Sequence, residues 1–414
     1  MSWNKEPNWL IRLGIYLNME INKMYSDDQK KIDMGLAAAV AIGSICIVLS
    51  QFISAFQLIY PIIWFALLVF IGLKNSTIIR FNGFSRLVLL ITLSLSVFCM
   101  LCFSVTGTDG YVRGFLVLYL KAIMSYLVGL FIGYIMNDQE KWWLIIASFI
   151  VAGLIYSIYV LTNYFPGYSA WLSSQIYLYD SKNSFGQITG AASVFCFGIF
   201  IFGKRKGYSA LLLAVGSFMT LTMLFCQCRT SIIGVVVALV ILLLLRRKFV
   251  LLAFLFALFA FLIASVPELQ NILSHFMQTD KYSDANSLSS GRLDIWTTAL
   301  ERTAASPAIG LGSYYCDNFY ICLYANWGLI GGGLFLILWL ARIVFNIRLA
   351  KTKNCTGTQS TQHFLANMLL ALTGFYFVES LLEGNPPLGP GACSFMFWIL
   401  SGYLDAQHQK PNSG

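Results

Sequence analysis

The sequence predicts an all-α polytopic membrane protein with about twelve transmembrane helices and one large external loop between the ninth and the tenth. Composition, run length and charge placement carry this prediction. Of 414 residues, 58% are apolar and 11% charged, with a mean hydropathy of +0.73. Water-facing domains carry about 25% charged residues, so this chain cannot coat its apolar material with polar surface, and a soluble enzyme is excluded. The apolar residues fall in runs of about 20, the length a helix needs to cross the hydrocarbon core of a bilayer. The net charge of +9 would point to nucleic acid in a soluble protein. Here the cations form short clusters between apolar runs, the pattern of positive-inside topology, and no nucleic-acid partner is expected.

Taken in chain order, residues 1–32 interleave Trp9, Leu10, Leu13, Ile15, Leu17 and Ile21 with Arg12, Asn18, Glu20 and Lys23. That pattern predicts a helix on the cytoplasmic membrane surface. The polar stretch is too long for the n-region of a signal peptide, so no cleaved leader is expected. Residues 33–266 hold nine apolar runs, at 33–51, 54–73, 87–106, 114–136, 142–162, 185–203, 208–227, 230–245 and 249–266. Residues 267–317 form the external loop, 318–405 hold the runs 318–341, 364–383 and 391–405, and 406–414 are a cytoplasmic tail. With the N-terminus inside, 20 of the 27 cations fall on the cytoplasmic side. Six fall outside, Arg113, Lys182, Arg229, Lys281, Arg292 and Arg302, and Lys121 lies within the fourth run. An even number of spans puts both termini in the cytoplasm.

Both conspicuous loops are external. The first, 163–184, is rich in Tyr and Trp and suits an interfacial flap or a sugar-stacking surface. In the second, Ser290–Ala305 has helical spacing through Leu293, Trp296, Thr297 and Leu300, with Ser289 or Ser290 as cap. One disulfide among Cys226, Cys228, Cys316 and Cys322 stays open, because spacing alone does not establish a bridge. His275, His363 and His408 lie far apart, so neither metal nor other cofactor is expected.

External cations are scarce, and each invites a reason. Arg229 opens the eighth run and reads either as a snorkelling interfacial arginine or as an anion clamp, since a guanidinium fork matches phosphate oxygens in two parallel bonds. Arg292 reads as a solvated loop charge paired to Asp294 or Glu301, or as a partner of Arg229 in neutralising a diphosphate. Asp317, where the chain re-enters the membrane, can cap the helix, orient or deprotonate a sugar hydroxyl, or do both. Glu379 and Glu383, one helical turn apart, are a second reservoir of bases. Lys121 reads equally as a cavity-lining or a snorkelling residue. Gly129-x-x-x-Gly133 and Gly331-Gly332-Gly333 predict close helix packing.

The order of these features resembles the O-antigen polymerase and ligase superfamily, bacterial membrane glycosyltransferases that use polyprenyl-diphosphate-linked glycans. The resemblance runs from about Lys182 to Arg342. It consists of Lys182-Asn183-Ser184-Phe185-Gly186, Arg229-Thr230-Ser231, Ser290-Gly291-Arg292 with Trp296, Pro307, Gly310-Leu311-Gly312, and then Asn318, Gly328 and Gly331. It implies a GT-C-like fold, a site facing the periplasm across the bacterial inner membrane, and donor diphosphate contacts from Arg229 and Arg292. Lys182, Asn183, Asn318, Arg113, Glu379 and Glu383 are expected around the substrate. Ligases of the superfamily place His before the residue matching Asn318, whereas this chain has Asp317, which favours a Wzy-type polymerase. The expected reaction moves the growing glycan from undecaprenyl diphosphate to an incoming lipid-linked repeat unit by a metal-independent inverting displacement. Both substrates are thus undecaprenyl-diphosphate-linked glycans, and a chain-length regulator is an open partner. The alternatives are ligation of finished glycan to a lipid-A core or protein, and, in a different class, a polysaccharide or lipid transporter.

Overall fold

A computed structural model describes residues 8–409 apart from 55, 76–80, 82, 174–178, 204–205, 278, 280–283, 290, 352–358, 385 and 389–392. Among the described residues all regular structure is helical, without strands. In order the helices are α1 (Asn8–Leu49), α2 (Phe56–Asn75), α3 (Phe84–Thr106), α4 (Gly110–Gly114), α5 (Lys121–Ile135), α6 (Trp142–Tyr164), α7 (Tyr168–Ser173), α8 (Lys182–Phe202) and α9 (Lys206–Phe225). There follow α10 (Arg229–Leu245), α11 (Phe249–Ser265), α12 (Pro267–Met277), α13 (Ala285–Leu288), α14 (Arg292–Thr303), α15 (Phe319–Lys351), α16 (Gln359–Leu382) and α17 (Phe395–Gln409). Among the described residues each of the twelve apolar runs overlaps a helix. Among the described residues eight helices are long and apolar enough to cross a membrane alone, or nine if α11 and α12 are one broken span. The helix expected to end at residue 32 instead continues without a break, as α1, into the first apolar run.

Glycines set the closest helix contacts. A Cβ on Gly133 would come within 2.8 Å of the Tyr403 carbonyl oxygen, one on Gly129 would overlap the Ile399 carbonyl, and one on Gly402 would overlap that of Tyr126. The Gly129 and Gly133 pair therefore packs α5 against α17, as the spacing predicted. Between α4 and α5 the chain makes a π-helical turn, Phe115–Leu120, a wide turn that interrupts the regular ladder.

One charge expected in the cytoplasm is in the core. Arg342 is wholly buried, with its Nη1 2.6 Å from Asp405 Oδ2, its Nε donating to Asn346 (2.6 Å) and the guanidinium over the Phe84 ring. Tyr126 donates to the same Asp405 oxygen (2.8 Å), and Asn346 to Thr373 (2.8 Å). The network joins α5, α15, α16 and α17. Position at the end of an apolar run suggested a flanking cation, but the run continues past it to Lys351 and carries the side chain inward. Asp405→Ala is expected to lower stability by about 3–5 kcal/mol by leaving a buried guanidinium unpaired, read as a fall in the thermal unfolding midpoint in detergent.

At one end of the bundle the loops fold over the helix mouths. α11 has no buried residue, and α12 departs from it at 101°. Pro267 lacks an N–H and holds Val266 extended (φ −119°, ψ 103°), so the helix must break there. α12 then turns back across the bundle end and buries His275 and Phe276. α14 starts at Arg292 behind Gly291, whose φ of 77° supplies the turn. Ser290, expected as a cap, and Lys281 lie outside the described residues. Cys226, Cys228, Cys316 and Cys322 are free thiols.

Candidate functional site

The site is built where the α9–α10 turn, the start of α8, the start of α14 and the end of α16 meet. The turn is tight. Gln227 adopts a positive φ of 53°, and Cys228 and Arg229 donate their N–H groups to the Met223 and Gln227 carbonyls (3.0 and 2.9 Å). This starts α10 at Arg229. Gly186 lets α10 approach α8, since a Cβ there would overlap the Ser231 hydroxyl and lie 3.1 Å from Cys228 Cβ. The resemblance motifs at 182–186 and 229–231 are thus two halves of one close contact. Above the turn, His275 of α12 meets the Gln227 amide (3.2 Å) and packs edge-on against Trp171, whose Nε1 donates to the Phe225 carbonyl (2.8 Å). Arg229 Nη1 reaches the Met277 carbonyl at 3.5 Å.

Opposite stands Arg292. Its Nη2 donates to Glu383 Oε1 (2.8 Å), and Asn183 Nδ2 donates to Glu383 Oε2 (2.6 Å). One carboxylate therefore joins three segments distant in sequence. Arg292 Nε is shielded from water and has no hydrogen-bond acceptor, the Asp317 carboxylate lying 3.6 Å away. Asp317 accepts from the Tyr315 hydroxyl, and its carbonyl accepts from Trp296 Nε1 (3.3 Å). Burial pushes the Glu383 carboxyl up to about 7; Arg292 and Lys182 pull the other way, and Asp317 adds to the rise.

Asp317 is placed by a glycine-built joint. Gly328 (φ 61°, ψ −162°) breaks α15 after its first turns. The freed backbone groups pair with the preceding loop: Leu311 and Gly312 donate to the Ala325 and Asn326 carbonyls (2.7 and 3.0 Å), and Leu329 and Ile330 donate to those of Pro307 and Ala308 (2.9 and 3.1 Å). Tyr111 fixes the loop by donating to the Gly310 carbonyl (2.9 Å). Pro307, Gly310, Gly312 and Gly328 are therefore one structural unit, which holds the segment 313–318 against α14 and α16.

These elements enclose a cavity of about 210 Å³, lined by Lys182, Asn183, Arg229, Arg292, Asp317 and Glu383, with the α9–α10 turn completing the wall. Three cations, Lys182, Arg229 and Arg292, line this cavity with two carboxylates, an excess of positive charge that favours anions. Arg229 and Arg292, the two sequence candidates for a clamp, do share one cavity. Three expected residues stand elsewhere. Arg113 lines a different cavity. Asn318, not Asp317, caps α15: its Oδ1 accepts from Tyr320 and Ile321 N–H (3.0 and 3.1 Å), while its Nδ2 donates to the Leu381 carbonyl (2.8 Å). Glu379 is fully buried one turn below Glu383, beside Ser231, and does not line the cavity. Among the described residues no cluster of His, Cys, Asp or Glu is arranged to hold a metal ion. Gln227, Tyr315 and His275 were not anticipated. For His275 a signal existed, since Leu269, Ile272, Leu273 and Phe276 have the spacing of an amphipathic helix.

Fold and site together define a polytopic helical membrane protein with a cavity lined by cations and carboxylates at one end of its bundle. Residues 214–336 match the family described as O-Antigen ligase, a match consistent with the O-antigen polymerase and ligase superfamily. The matched segment runs from α9 through the Arg229 turn and the loop 267–317 to just beyond the Gly328 joint. No curated protein matches the chain significantly.

Proposed function

We propose that this protein is a surface-polysaccharide polymerase of the bacterial inner membrane, with its cavity facing the periplasm and both termini in the cytoplasm. It transfers a growing glycan from undecaprenyl diphosphate to an incoming lipid-linked repeat unit. The observation that carries this reading is the convergence of Arg229, Arg292 and Lys182 on one cavity that also presents Asp317. An acceptor hydroxyl attacks the anomeric carbon, and the bond from that carbon to the diphosphate oxygen breaks with its electron pair leaving on the diphosphate. The hydroxyl proton passes to Asp317. The unsatisfied Arg292 Nε and the Arg229 fork stabilise the charge that develops on the leaving group, and they do so where water is scarce. With three cations in place the neutralisation needs no metal ion.

Purified protein in lipid nanodiscs, given lipid-linked repeat units, is expected to make longer glycans; unchanged repeat units would overturn the proposal. Ligation is the second reading, favoured by the family's own description. A polymerase knockout leaves single repeat units on the cell surface, whereas a ligase knockout leaves an unmodified acceptor and accumulated lipid-linked polymer.

Glu383 gives the site a pH dependence with a definite sign. Above about 7 its carboxylate holds Arg292 and repels phosphate; below, the protonated carboxyl releases the guanidinium. Undecaprenyl diphosphate binding is therefore expected to tighten as pH falls from 8 to 6, by up to roughly tenfold for one charge in a partly buried site. Glu383→Gln should flatten the profile at its low-pH affinity, and a profile as steep as that of the wild type would exclude Glu383 as the titrating group.

A further inference from the structure

A second cavity, of about 330 Å³, adjoins the first and has a different chemistry. Its walls are Arg113, Tyr314, Tyr315 and Trp327, and its base is formed where Gly110 and Gly114 of α4 meet Gly312 and Trp327. Those glycines are required by the packing. A Cβ on Gly110 would stand 2.6 Å from the Gly312 carbonyl oxygen, and one on Gly114 would stand 2.8 Å from the Trp327 ring. The π-helical turn begins immediately after Gly114, and such turns are frequent at functional sites.

Neighbouring residues of the chain line the two cavities. Asp317 lines the first cavity, and Tyr315 and Cys316 the second; Glu383 lines the first, and Gly384 the second. The Tyr315 hydroxyl donates to the Asp317 carboxylate, joining the two linings. The ring of Tyr315, 66% exposed, presents its remaining surface to the second cavity together with the exposed Arg113.

We propose that the second cavity is the acceptor-sugar site, taking the terminal pyranose of the acceptor glycan. Aromatic side chains with polar tips suit the alternating apolar and hydroxyl faces of a sugar ring. A mostly apolar pocket with a few directed polar groups is how small-molecule sites fix orientation. Tyr315 is the stacking platform and Arg113 the hydrogen-bond donor to the sugar hydroxyls. A hydroxyl of that sugar then meets Asp317 where the two cavities adjoin, on the side away from the cations that hold the diphosphate. This assignment rests on the donor reading of the first cavity, and it applies equally to polymerisation and ligation.

The test uses two probes on purified protein in nanodiscs: undecaprenyl diphosphate, and the free repeat-unit oligosaccharide released by mild acid from lipid-linked material, which can accept but has no diphosphate to donate. Arg113→Ala and Tyr315→Ala are expected to weaken oligosaccharide binding roughly tenfold each, the scale of one charged hydrogen bond or one stacked ring. Undecaprenyl diphosphate binding should stay at the wild-type level in Arg113→Ala. Tyr315→Phe, which keeps the ring and loses only the tie to Asp317, should bind the oligosaccharide like wild type. Wild-type oligosaccharide affinity in both alanine variants would overturn the acceptor site, as would failure of the unaltered protein to bind the oligosaccharide at all. Failure of the unaltered protein to bind undecaprenyl diphosphate would instead overturn the donor reading.

Discussion

Arg292→Ala is expected to reduce glycan elongation by about 10²–10³-fold, the range seen when a single preorganised donor to a developing oxyanion is removed. Arg292→Lys should recover little of it, because an ammonium has no planar fork to offer two phosphate oxygens at once. The substitution has a second consequence that must be separated from the first. Among the described residues Arg292 is one of two side chains hydrogen-bonded to the buried Glu383, the other being Asn183. Loss of the guanidinium thus leaves a desolvated carboxylate with one neutral partner. If activity fell only because that carboxylate distorts the site, adding Glu383→Gln to Arg292→Ala would restore it. The charge-stabilising role predicts that the double variant stays inactive, even where removal of the repelling carboxylate restores part of its affinity for undecaprenyl diphosphate. Arg229→Ala is expected to behave alike, with losses in the two single variants that do not add, because both guanidiniums act on one diphosphate. Elongation at the wild-type rate by both single variants would remove the clamp from the mechanism.

The parts of this molecule that could be read in advance are those whose physics is local. Helices across 84–106 or 142–164 follow from run length alone, because a bilayer core imposes one length on every span. The same holds for α14, whose apolar spacing survives in a polar loop. What could not be read is pairing. Nothing local in Asn183 says that its amide meets a carboxylate 200 residues on, nor does the sequence distinguish Arg342, bound to Asp405 in the core, from the flanking cations that follow it. Arg113 and Arg229 look alike as external arginines, yet they line different cavities, since the loop 313–317 passes between them. Asp317 reads in the sequence as a cap of the helix that follows, a place that Asn318 takes. The amide at 318 points at two N–H groups, which leaves the neighbouring carboxylate turned to the cavity.

The Gly328 joint carries a large expected effect on both stability and activity. Its backbone (φ 61°, ψ −162°) lies in a region open essentially to glycine alone. A Cβ there would also overlap the Ala308 carbonyl carbon and oxygen and the Ile309 nitrogen, all backbone atoms that cannot rotate away. Relief requires the loop 307–312 to move off α15, which opens the four backbone hydrogen bonds linking them and leaves their groups unpaired within the membrane end of the protein. Gly328→Ala is therefore expected to cost at least about 3 kcal/mol, combining backbone strain with lost hydrogen bonds. Elongation should be lost with it, because Asp317 and Tyr315 are carried on the displaced segment. Gly333, in the same helix, is the control: a Cβ there meets no atom within 4 Å. Gly333→Ala should be neutral or stabilising by about 0.5–1 kcal/mol, as for any glycine replaced inside a regular helix. Thermal unfolding of the two variants in detergent decides the matter. Equal midpoints would mean that the joint yields without cost and that the glycines of the loop do not position the carboxylate.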